Sequence, residues 1–70
     1  MNISERRLCI NRGYCLFEIK KTGDELAEVT FEIRNPHNEI YKELGSLTQA
    51  LAEFNEIITS TSNIKSDLNN

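Results

Sequence analysis

The sequence predicts an α+β domain: a small antiparallel sheet of two to three strands, built around a central hairpin and covered by one C-terminal amphipathic α-helix. Three observations lead there. Cys15, Phe17 and Ile19 alternate with Leu16, Glu18 and Lys20, and Ala27, Val29, Phe31 and Ile33 alternate with Glu28, Thr30 and Glu32. Period two marks strands with one buried face. From Ile40 onward the pattern changes, and Ile40, Leu44, Leu47, Leu51, Phe54 and Ile58 recur at intervals of four and three, as on one side of a helix.

The central hairpin is expected to turn through Lys21-Thr22-Gly23, with Gly23 at positive φ, so that Phe17 faces Ala27, Cys15 faces Val29 and Lys20 faces Asp24. That register puts both apolar sets on one side, and a one-residue slip would mix them. Ahead of it, Arg7-Leu8-Cys9-Ile10 reads either as a separate strand turning at Asn11-Arg12-Gly13 or as the same strand running on through a bulge at Gly13; the separate strand is preferred. For the helix, Asn35-Pro36 and Asn38-Glu39 are two possible starts, since Asn caps well, Pro suits the first helical position and acids suit the first turn. The run TSTSNIKSDLNN from Thr59 lacks apolar periodicity. It reads as a helix end followed by a tail, giving one domain over residues 1–61 and a flexible polar tail over 62–70. The helical stripe is then expected to cover Cys15, Phe17, Ile19, Val29, Phe31 and Ile33.

Seventy residues support only a small core, and a chain of this size gains from a staple or a partner. Two cysteines and the lack of an apolar leader or span favour a cytoplasmic protein with reduced thiols and no contact with membrane. Oligomerisation is therefore the expected staple. The net charge of −3 is unevenly spread: residues 1–22 carry five bases against Glu5 and Glu18, hence +3, while residues 23–56 carry eight acids against Arg34 and Lys42, hence −6. Such polarity favours self-association or a complementary partner over polyanion binding by the whole molecule.

Two candidate surfaces follow from the expected register. On the outward side of the sheet, Tyr14, Leu16 and Leu26 lie among Glu18, Glu28 and Glu32, an aromatic and aliphatic spot rimmed by carboxylates suited to a protein partner. On the helix, the uncharged row Tyr41, Gly45, Thr48, Ala52 and Asn55 is assigned to a two-fold dimer interface. Gly45 in mid-helix would cost about 1 kcal/mol relative to Ala, a cost that close approach of another backbone would explain. The competing reading is that this row only widens the core stripe.

Catalysis is not expected. Cys9, Cys15 and His37 are too few and too scattered for a structural zinc site, which leaves the metal and cofactor assignments empty. The chain holds no glycine-rich phosphate loop and no plausible nucleophile, base and acid set. The reading is a non-enzymatic interaction module, a regulator or inhibitor of bacterial or phage type acting on another macromolecule, including a nucleic-acid-handling or defence complex. The alternative is a small nucleic-acid-binding or transcription-regulating protein using Arg6, Arg7 and Arg12, a weak signal without interleaved aromatics.

Overall fold

The computed structural model describes residues 1–68, with side chains through Thr61. The elements run β1 (Asn2–Asn11), β2 (Tyr14–Thr22), β3 (Ala27–Arg34), β4 (Ile40–Leu44) and α1 (Leu47–Leu68). All four strands form one antiparallel sheet in the order β1-β2-β3-β4, with the helix on one face. The α+β class is as the sequence predicts, but the sheet has four strands where two to three were expected.

Arg7–Ile10 is part of a separate strand that begins at Asn2 and turns back into β2 through Arg12 and Gly13, at φ 53° and 84°. Two successive positive φ values match the twist of the flanking strands. The next connection corrects the expected register: Thr22 pairs with Ala27, and Gly23–Leu26 form the loop, closed by the Gly23 N–H donating to the Leu26 carbonyl at 2.8 Å. Gly23 does not take the positive φ of a three-residue loop. Phe17 therefore faces Glu32, Cys15 faces Arg34 and Lys20 faces Val29. The cause lies in β2, which is apolar on both sides; the observed register aligns Leu16 with Ile33, and both become completely buried.

The segment expected to start the helix is instead a hairpin loop and a strand. Asn35 Oδ1 accepts the backbone N–H groups of His37 and Glu39 at 3.0 and 2.9 Å, Pro36 occupies the turn and Asn38 takes φ 64°. The same Asn and Pro that suit a helix start suit this turn, because an Asn side chain caps backbone N–H groups in both settings. Ile40–Leu44 then pairs with β3. The helix begins after Gly45, with Ser46 as its cap: Ser46 Oγ accepts the Gln49 N–H at 3.2 Å and the Ser46 carbonyl accepts the Ala50 N–H at 3.0 Å. Ser46 and Gln49 have the spacing of a capping box. Gly45 lies at a strand–helix junction with open space around it, so no mid-helix close approach is needed to explain it.

The core consists of Leu16, Phe31 and Ile33 from the sheet and Ala50, Phe54 and Ile57 from the helix, with Leu8, Cys9, Tyr14, Leu44 and Ile58 packed around them. This replaces the expected partition: Cys15, Phe17 and Ile19 occupy the other face of the sheet, while Leu47 and Leu51 are exposed. Each fully buried large side chain contributes roughly 1.5–3 kcal/mol before entropy is subtracted. Among the described residues only seven hydrophobic side chains are buried, so the core is thin, and it lies toward the Tyr14 end of the sheet, leaving Leu26 and Val29 exposed near the opposite hairpin loop. The helix backbone extends to Leu68, past the expected end near Thr61. Residues 69–70 of the expected tail lie outside the described residues.

Candidate interaction surfaces

Strand pairing divides the sheet residues between two faces. The face under the helix carries Cys9, Leu16, Ile33 and Lys42 at one level and Arg6, Glu18, Phe31 and Leu44 at the next. The open face carries four levels in register: Ile10, Cys15, Arg34 and Ile40; then Arg7, Phe17, Glu32 and Glu43; then Glu5, Ile19 and Thr30; then Ile3, Lys21 and Glu28. Outer strands keep this phase because each has one extra residue, Leu8 in β1 and Tyr41 in β4, where the register shifts.

The open face is centred on Arg34. Its guanidinium lies 4.2 Å from the centroid of the Phe17 ring and donates to Glu32 Oε1 at 2.9 Å and Glu5 Oε1 at 3.0 Å. The hydrogen bonds to Glu32 and then to Glu5 raise the Arg34 pKa above its ordinary value, so this cation stays charged. Arg34 thereby roofs Phe17 across three strands. Ile19, flanked by Glu5 and Thr30, is only 3 % exposed although no helix covers this side. Around this centre, Ile3, Ile10 and Ile40 are 60, 58 and 54 % exposed. In the sequence Arg34 is one base among acids and Ile10 and Ile40 belong to no surface pattern; only the register brings the three together.

On the helix side, Tyr14 and Tyr41 meet edge to face, with centroids 6.3 Å apart and planes at 87°. With Glu53, Glu56, Ile57, Ser60 and Thr61 they line a cleft of about 270 Å³ between the helix and the sheet. Lys42 holds Glu53 at 3.0 Å. A larger hollow of about 440 Å³ lies at the Gly23–Leu26 loop, bordered by Met1, Lys21, Asp24, Glu25 and Glu28, far from the core.

Neither expected surface survives as one patch. Of the acidic set, Leu16 is buried in the core, Tyr14 and Glu18 are on the helix side, Glu28 and Glu32 are on the open face and Leu26 is in a loop. Glu18 pairs with Arg6 at 3.3 Å and Glu32 with Arg34. Of the uncharged row, Tyr41 is in β4 and Gly45 in the junction, leaving Thr48, Ala52 and Asn55 exposed on the helix. The structure instead joins Tyr14 and Tyr41, one from each expected surface. Cys9 and Cys15 are free thiols on opposite faces, and no group of three or more His, Cys, Asp or Glu side chains that could hold a metal occurs among the described residues. No helix among the described residues is long and apolar enough to cross a membrane. Comparison with family models, characterised proteins and solved structures returns no match.

Proposed function

We propose that the chain is a non-enzymatic interaction module, a regulator or inhibitor that acts by occupying a surface of a partner protein. The observation carrying this reading is the Tyr14–Tyr41 cleft, where two aromatic rings stand against Glu53 and Glu56. Aromatic faces attract a cation, and carboxylates at the rim give it a counter-charge, so the cleft suits a lysine or arginine side chain of a basic partner. Because Lys42 already neutralises Glu53, Glu56 is the carboxylate placed to receive it. Support for a nucleic-acid role is weaker: Arg6 faces the helix side and pairs with Glu18, Arg7 faces the open side, and Arg12 sits in a turn.

Affinity capture from nuclease-treated host lysate, run with the unmodified chain and with Tyr41→Ala and Glu56→Lys, tests the proposal. A stoichiometric protein held by the unmodified chain and lost with both variants, at unchanged circular dichroism, is the expected result. Equal recovery with all three chains refutes the cleft as the contact.

A further inference from the structure

We infer that the open face of the sheet binds the same face of a second copy, giving a two-fold sandwich with both helices outside. The occupant is argued from charge. On the open face the β1–β2 half carries Arg7 and Lys21 against Glu5, and the β3–β4 half carries Glu28, Glu32 and Glu43 against Arg34, so one half is net basic and the other net acidic. A two-fold axis lying in the interface parallel to the strands places the β1–β2 half of each copy over the β3–β4 half of the other.

Applied level by level, that operation matches individual side chains. Ile10 meets the partner's Ile40, Arg7 meets the partner's Glu43 and Lys21 meets the partner's Glu28, each pairing occurring twice. Aligned sheets pack at roughly 30°, which offsets these partners without exchanging the halves. All six residues are exposed in the single chain. Ile19 is already buried on this face, and Phe17 is roofed by Arg34, so the centre presents a neutralised surface, not stranded charge. Fourteen open-face positions, four on each of two levels and three on each of the other two, at about 4.8 Å by 6.8 Å apiece give roughly 460 Å² of face per copy. Two copies contribute about 900 Å², the size of a small, concentration-dependent interface. Isologous pairing also supplies the burial that the thin core lacks.

The inference is independent of the cleft, which lies on the other side of the sheet. Its test uses charge exchange in the full chain. Light scattering of the unmodified protein at micromolar concentration is expected to give twice the 8.0 kDa chain mass. Arg7→Glu and Glu43→Arg each set two like-charge pairs in the homodimer and are expected to weaken it at least about tenfold at low salt. Mixing the two variants restores both pairs, Glu over Arg and Arg over Glu, and should yield a heterodimer of near-original affinity. Repair within one chain is excluded because β1 and β4 are separated by two strands, about 14 Å. A mass that stays at 8.0 kDa with rising concentration, homodimers indifferent to either reversal, or variants that fold but fail to pair on mixing would each overturn the inference.

Discussion

Gly13→Ala should be among the most damaging single-methyl additions in this chain, for two separable reasons. Gly13 sits at φ 84°, a region where an L-residue with a Cβ is disfavoured by roughly 1–2 kcal/mol. An added Cβ would also lie 2.9 Å from Cγ and 3.0 Å from Cβ of Pro36, inside contact distance, because the turn after β1 is seated against the loop between β3 and β4. Overpacking of this kind costs typically about 1–3 kcal/mol. Together the terms give about 2–5 kcal/mol, which for a domain of this size lowers the thermal midpoint by roughly 8–40 °C. A double-mutant cycle with Pro36→Gly, followed by thermal unfolding, separates them: the steric part is recovered in the double variant and the backbone part is not. A fall below about 3 °C for Gly13→Ala, or strict additivity with Pro36→Gly, would refute the argued contact between the two loops.

Two further outcomes follow from the open face and the thiols. Arg34→Met removes hydrogen bonds to two carboxylates and uncovers Phe17, so urea unfolding should show a loss of about 1–2 kcal/mol, reduced from the full charge-assisted value because Glu5 is half exposed; an unchanged midpoint would mean the roof contributes nothing. Because Cys9 and Cys15 point to opposite faces, intact mass under non-reducing conditions should show two free thiols in the monomeric chain, and an internal bridge would contradict the β1–β2 register.

The sequence made the fold class legible because strands precede the helix and each carries its own period. Register was not legible, since β2 has apolar residues on both sides: Leu16 and Tyr14 on one, Cys15, Phe17 and Ile19 on the other. Only the tertiary packing of Leu16 against Ile33, under Ala50 and Phe54, decides between them. Ile40 and Leu44 lie four apart, which fits helix spacing, whereas the bulge at Tyr41 puts them on opposite faces of β4 and so leaves no strand alternation to detect; Gly45-Ser46 is the step that separates the two elements. The charge asymmetry along the chain is legible from composition, but strand pairing decides which of those charges share the open face. Arg34 was beyond reach because its partners Glu5 and Glu32 converge only after three strands have paired.

The bulges at Leu8 and Tyr41 bear on how the chain tolerates changes of length. Each is an extra residue in an outer strand, so excising either would leave Arg7 and Cys9, or Ile40 and Lys42, as consecutive rungs with every other side chain on its present face. The loss would be local, the contact of Leu8 with the core or of Tyr41 with Tyr14. A deletion within β2 or β3 has no such slack and would transpose half a strand between the two faces. Single-residue gaps among diverged descendants of this chain should therefore collect at these two positions, while the inner strands keep constant length even as their side chains change.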